Sequence, residues 1–458
     1  MPTILGHRIL LSSRELPGRW MNPVAGVPVT LSPMMSASGF RVTSRELEPI
    51  FPRPLIEQEL GTDRSHFAIP KEVRDAYLEW RPTPLVRARR LEESLGTPAK
   101  LYFKFEGGSP SGSYESNTAI AQAHYIAASG FKTVVTGGAG GLWLLAMGHA
   151  ASRFGLNARI YSVREPGTRQ AWGEAAARVW GVDVVASPSE QTRAGRHRLS
   201  TRGPDSGSIA VALSEAYEEA TIRPEVKFAM PTLLNFTAIH QSIIGQEAEK
   251  QLAAVEDGAD YVIGAIGAGS HFAGLIAPFV KRKAANKNIR LVAVEEASTP
   301  SLSRGVFAYD AADSEGIMPS IQMYTVGRDY DPPGVLTGSM RYHGVAPVVS
   351  ALFREKFVEA VVHSQIEAYS AGLLFTRAQG IILSPSSMYT VKEVIEQALR
   401  CKEENREAVI LFSVTSSVET ERSVYDPLLS GTMQNRDVEE SRLRRSLDLM
   451  QRPSSSSQ

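Results

Sequence analysis

Three glycine-rich turns and one isolated carboxylate carry the chemistry available to this sequence. The run Gly264–Ala265–Ile266–Gly267–Ala268–Gly269–Ser270–His271 follows an apolar strand-like segment and precedes a helical one. Glycines let the main chain close on an anion, and the first N–H groups of a helix point at it. Ser270 adds a hydroxyl there, and His271 either bonds the anion or crowds it. Tight strand-to-helix packing is the alternative reason for the glycines. A second run, Thr136–Gly137–Gly138–Ala139–Gly140–Gly141–Leu142–Trp143, offers main-chain N–H groups at 138–141 to a carboxylate, or is a packing turn alone. The third is Ser109–Pro110–Ser111–Gly112–Ser113–Tyr114–Glu115–Ser116–Asn117–Thr118. Here Glu115 is either a general acid or base or an exposed residue of an inactive loop. Asn117 is placed to cap the helix that follows. His343, beside Gly344, is a further acid–base candidate; His240, within a helical stretch, reads first as a structural histidine.

These turns need strands and helices to hold them. Leu101–Phe105, Thr133–Val135, Ala158–Val163, Val182–Val185, Ile209–Leu213, Tyr261–Ile266, Leu291–Val294 and Val409–Val414 are apolar runs of strand length. Such runs suit strands covered on both faces. Helical stretches lie between them, near Asn117–Ala128, Leu142–Phe154, Thr237–Val255 and Phe272–Lys283. That alternation predicts parallel βαβ units with right-handed crossovers. The expected fold is α/β with two domains, residues 81–235 and 236–428, each a mostly parallel twisted sheet flanked by helices. A ligand would sit in the cleft between them, beyond the carboxyl ends of the strands. Residues 1–80 read as an irregular arm. Residues 429–458 read as a charged, serine-rich tail with a short helix inside Arg436–Arg452 and a disordered end at Pro453–Gln458.

Composition excludes several partners. Lys plus Arg and Asp plus Glu both number 49, so the chain has no net charge to draw it to nucleic acid or an anionic membrane. The single cysteine, Cys401, rules out an internal disulfide and a cysteine-rich metal centre, and no metal is expected. No stretch is apolar and long enough to span a bilayer, and the first residues lack a secretory signal. A cytoplasmic location and a small-molecule ligand are the resulting expectations.

The order of several blocks resembles the β chain of tryptophan synthase, in particular its second, longer type. The blocks include Pro52–Glu59, Ile69–Tyr77, Trp80–Leu85, Ile266–Ser270 and Met340–Gly344. The resemblance runs from near Arg19 to near Asp426. It implies the two-domain fold of pyridoxal-phosphate enzymes of that type and a homodimer. It also implies cofactor contacts at Asn117, at the phosphate turn Gly267–Ala268–Gly269–Ser270–His271 and at Thr415, and a substrate carboxylate at Gly138–Ala139–Gly140–Gly141–Leu142.

Against that pattern the chain departs where chemistry is done. Relatives read Ser-Pro-Ala-Gly-Ser-His-Lys-Pro-Asn-Thr at the third turn, and their lysine holds pyridoxal phosphate as a Schiff base. Here Tyr114 and Glu115 replace His and Lys, and only an amine forms that bond. The glutamate that manages protons falls at Gly137, a glutamine at Leu142, and a cofactor-facing acid at Ser386. A carboxylate about 5 Å from a phosphate costs on the order of 3 kcal/mol at an effective dielectric near 20. Three functions stay open. One is a repurposed enzyme acting without a Schiff base on a small metabolite, aromatic or indole-like compounds included, with Glu115, Tyr114, His271 or His343 as acid–base groups. The second is a non-catalytic ligand-binding protein or partner subunit. The third is an atypical pyridoxal-phosphate lyase that holds its cofactor noncovalently or through another lysine such as Lys104.

Overall fold

Apolar β-branched runs become strands where both faces can be covered. In the computed structural model, which describes residues 2–139, 141–164, 169–204, 207–285, 288–330, 332–333, 340–417 and 425–451, most of the expected runs do so. The strands Lys100–Phe105, Val409–Val414, Tyr261–Ala265, Arg290–Glu296 and Val358–His363 lie side by side and parallel. Leu85–Arg87, Arg8–Leu10 and Thr3–Leu5 extend this sheet antiparallel at one edge, giving eight strands among the described residues. A second sheet is parallel throughout, in the order Val226–Phe228, Thr133–Gly138, Asn157–Val163, Asp183–Ser187. Helices cover both sheets, so the α/β class with two mostly parallel sheets is observed.

Sheet membership cuts across the expected halves. Lys100–Phe105 pairs with Val409–Val414, with Phe103 opposite Phe412, although it precedes every strand of the smaller sheet.

Ile209–Leu213 is not a strand. It opens the helix Ile209–Ile222, whose start is capped by the Ser208 hydroxyl accepting the Val211 N–H. Ala210, Val211, Ala212 and Leu213 are all buried. A helix buried on every side shows the same short apolar run as a buried strand.

The first 80 residues are not irregular throughout. Arg19–Met21 pairs with His66–Ala68, and helices form at Arg53–Leu60 and Lys71–Tyr77. Elements this short leave no periodicity to read. Trp20 is fully buried, its ring 4.5 Å from that of His240. Near the other end, the helix Glu440–Gln451 buries Leu443 against Val326 and Tyr330, so this part of the tail is ordered by apolar contact. The serine-rich end at 453–458 lies outside the described residues. Cys401 is buried. No helix among the described residues is long and apolar enough to cross a membrane.

Candidate active site

The carboxyl ends of Thr133–Gly138, Tyr261–Ala265 and Val409–Val414 converge on a cavity of about 60 Å³. Its walls bring together residues of all three glycine- or serine-rich turns. Gly267, Ala268, Gly269, Ser270 and His271 form one wall, Tyr114 and Glu115 a second, Gly138 and Ala139 a third, and Thr415 with Ser386 a fourth. Among the described lining residues there is no lysine or arginine, and Glu115 is the one carboxylate.

The first turn has the build of an anion cradle. Gly269 takes φ +88°, a left-handed conformation that favours glycine, and caps the helix Ser270–Ala284. A Cβ at Gly269 would also lie 3.3 Å from Val345 and Val349. Ala268 is not in that conformation, so its methyl costs the turn nothing. Thr232 fixes the Ser270 hydroxyl at 2.7 Å. His271 is 5% exposed, and neither ring nitrogen has a hydrogen-bond partner. Burial depresses its pKa to about 4, against a weaker opposing pull from the Glu106 carboxylate, so the ring is neutral at pH 7.

Glu115 is buried too, at 7% exposure, as the residue preceding the helix Ser116–Ala128. It is therefore not an exposed residue of a loose loop. Hydroxyl contacts stiffen the turn that carries it: Ser111 to Ser116 at 2.7 Å, and Ser109 to the Ser113 carbonyl at 2.6 Å. Tyr114 packs its ring on His271. Asn117 makes no cap and does not line the cavity. Its carbonyl oxygen accepts from Arg81 at 2.9 Å and its amide donates to Gln241 at 2.9 Å.

The second turn contributes less than expected. Gly138 and Ala139 line the cavity; Gly141 starts the helix Gly141–Phe154, and half-buried Leu142 is not in the lining. Gly140 lies outside the described residues. Gly137 has no room for a side chain. A Cβ there would sit 2.4 Å from the Ala212 carbonyl, because the helix Ile209–Ile222 leans on the strand end. Trp143 lines the cavity instead, its indole N–H donating to Thr136 at 3.0 Å.

Thr415 is the centre of a hydroxyl cluster. Its oxygen lies 2.8 Å from Ser386, 3.0 Å from Ser387 and 3.2 Å from Ser384.

Three other candidates lie apart from the cavity. His343 is bonded through Nε2 to the Ala311 carbonyl at 2.9 Å, with Asp310 at 3.8 Å, and is not in the lining. Its neighbour Tyr342 is. His240 bonds Thr118 and Gln58 from its two nitrogens, and burial pulls its pKa down to about 3, consistent with a structural role. Lys104 is fully buried and donates to Glu247 at 2.7 Å, to Gln251 at 2.8 Å and to the Thr83 carbonyl at 2.5 Å. Arg81 completes this charge cluster, bonding Glu247 and Glu106, and holds the Glu106 pKa down to about 2 against the desolvation that would raise it.

Sequence reasoning missed Thr232, Met340 and Tyr342 as lining residues. Tyr342 stood one position from a flagged histidine; Thr232 carried no signal. Away from the cavity, His363, Glu393 and Glu396 have metal-ligand spacing, but each is bonded: His363 to Glu393 at 2.9 Å, Glu393 to Gln397 at 2.6 Å, Glu396 to Lys392 at 2.6 Å.

The chain matches the family described as pyridoxal-phosphate dependent enzyme over residues 77–416. It is 40% identical over 435 residues to tryptophan synthase beta chain 2 of Aquifex aeolicus, covering 93% of this chain and 99% of the relative. It is 38% identical over 429 residues to tryptophan synthase beta chain 2 of Methanosarcina mazei, covering 93% and 97%. Its fold is similar to the crystal structure of a fungal L-serine ammonia-lyase from Rhizomucor miehei, with a TM-score of 0.57 at 17% identity, covering 77% of this chain and 98% of that one.

Proposed function

The chain belongs to the pyridoxal-phosphate dependent enzyme family, with tryptophan synthase beta chains among its homologues, and from that premise we propose that it is a member repurposed to act on a small metabolite without a Schiff base to lysine. The observation that carries this reading is the composition of the cavity wall: Glu115, Tyr114 and His271 line it, and no described lining residue is a lysine.

The family's cofactor fits this wall in part. Its phosphate matches the Gly267–Ser270 turn at the start of the Ser270–Ala284 helix. Its aldehyde would meet no amine among the described lining residues. Lys104 is no substitute, because its ammonium is already donated to three acceptors outside the lining. The groups that remain are acid–base groups. His271, neutral at pH 7, can accept a proton, and Glu115 can hold or move one within a partly dry cavity. Ser270 and the main-chain N–H groups of its turn orient an anionic end of the metabolite.

The retained turn favours one second reading, noncovalent binding of pyridoxal phosphate. One experiment separates the two and tests both. Purified protein is titrated with pyridoxal phosphate, reduced with borohydride and weighed intact. No mass adduct is expected. A visible absorbance that co-elutes with the protein before reduction, with no adduct after it, supports the second reading. An adduct mapped to a lysine overturns the proposal.

A further inference from the structure

The helix Glu440–Gln451 lies beyond residues 77–416, the part of the chain that the family model matches. Its sequence puts Leu443, Ser446, Leu447 and Met450 on one face, at the three- and four-residue spacing of an amphipathic helix. Leu443 and Ser446 are buried, Leu447 and Met450 are half-buried, and Glu440, Arg444, Arg445 and Asp448 are exposed. The seat beneath this face is the turn Val326–Tyr330. Val438, Leu443 and Leu447 pack with Val326 and Tyr330. Gly327, at φ +89°, lies so close that a Cβ there would run into Ser446. Arg304 meets Glu440 at 2.7 Å, and the Val438 N–H donates to the Ala297 carbonyl at 3.1 Å.

The seat is bonded in its own right to the cavity wall. The Val326 N–H donates to the His343 carbonyl at 2.8 Å, next to Tyr342, which lines the cavity. On the same segment the Val345 N–H donates to the Tyr324 carbonyl at 2.9 Å, and the Ala346 N–H donates to the Ala268 carbonyl at 2.8 Å. One stretch of main chain, 342–346, therefore joins the seat of the helix to Tyr342 and to the glycine turn at 267–270.

The docked helix is also weakly held. It has 12 residues, a length at which an isolated helix is marginal in water. The Ser446 hydroxyl is buried without a hydrogen-bond partner, a cost that release into water removes. The Arg304–Glu440 pair is exposed and contributes little.

We propose that the Glu440–Gln451 helix is a detachable brace for the cavity. Docked on Val326–Tyr330, it holds Tyr342 and the glycine turn in place; released, it lets that wall loosen and so governs ligand access. The meaning for ligand access rests on the reading of the cavity as a ligand site, whereas the docking does not.

The test is hydrogen–deuterium exchange on the full chain, read in peptides covering 440–451, 321–330, 342–349 and the distant strand Tyr261–Ala265. Leu443→Asp puts a charge into the seat. Leu449→Asp makes the same change at a residue 43% exposed and off the buried face. Leu443→Asp should speed exchange by about tenfold or more in 440–451, in 321–330 and in 342–349, and Leu449→Asp should stay within about twofold throughout. A synthetic peptide of residues 436–451, added to the Leu443→Asp chain, should slow exchange in 321–330 again. Unchanged exchange in 440–451 of Leu443→Asp would overturn the docking. Fast exchange there with parental rates in 342–349 would overturn the brace. If Leu443→Asp also speeds exchange in Tyr261–Ala265, the milder Leu443→Ala decides by the same comparison. A lysine adduct in the borohydride experiment would overturn the reading of the cavity and leave these rates untouched, so the two failures are distinct.

Discussion

The rings of Tyr114 and His271 lie 4.5 Å apart between centroids, their planes inclined by 53°. These two residues stand far apart in sequence. In space they are one contact. The Ser109–Thr118 and Gly264–His271 turns therefore meet in a single wall of the cavity. An aromatic pair of this kind, with His271 buried and Tyr114 half-buried, contributes about 0.5–1.5 kcal/mol beyond its area.

His271→Phe should stabilise the protein by about 1–2 kcal/mol at pH 7, since it removes two buried ring nitrogens without partners. It should also abolish ligand binding. The pH dependence follows in sign. The folded pKa is depressed to about 4 from 6.5, so the unfolded chain takes up a proton that the folded chain refuses. Stability conferred by His271 is present above pH 6.5 and is lost as pH falls toward 4. Urea unfolding across that range should show a shallower acid loss in the variant. Identical slopes would mean that the ring is not held neutral.

Glu59 titrates in the opposite sense. Burial raises its pKa from 4.5 to about 7, outweighing the bond from the Phe236 N–H at 3.3 Å. The folded chain keeps a proton that the unfolded chain sheds, so stability from this group is complete below pH 4.5 and declines as pH rises through 7. Glu59→Gln should flatten that part of the melting-temperature profile. A variant that tracks the parent from pH 4.5 to 7 would refute the assignment.

Gly137→Ala should cost about 3 kcal/mol, because the added methyl meets the Ala212 main chain at 2.4 Å. Gly108→Ala is the control: nothing lies within 4 Å of its Cβ position, and its effect should stay within about 0.5 kcal/mol. Chemical denaturation of the two variants makes the comparison.

Glu115→Lys should not restore tryptophan formation from serine and indole, even with pyridoxal phosphate supplied. It returns an amine but no proton-handling carboxylate at position 137, where a side chain has no room. Tryptophan detected by chromatography would show that the missing function resides elsewhere in the cavity.

What the sequence revealed, and what it hid, follows from how local each signal is. The turn at Gly264–His271 was legible because a strand, its glycines and a helix are contiguous. Glu115 stood out against the resemblance, but nothing local told of its burial. Ile209–Leu213 misled because five apolar residues do not distinguish a buried helix from a strand; the polar residues that follow, Ser214 and Glu215, are themselves buried and bonded to Asp313 and Ser189. Asn117 reads in the sequence as a cofactor contact by resemblance or as a helix cap, and Lys104 as one alternative amine. Their true partners, Arg81, Gln241 and Glu247, come from distant segments that no spacing rule links. His343 and Tyr342 differ by one position, and chain direction alone decides which of them meets the cavity.

The hydroxyls gathered at Thr415, Ser384, Ser386 and Ser387 have a quieter consequence. Each can turn its hydrogen without shifting a heavy atom. That side of the cavity is thus a surface of reversible polarity, able to greet a donor one moment and an acceptor the next. Discrimination between guests must then come from the side chains without such a rotor, among them the His271 ring on which Tyr114 packs.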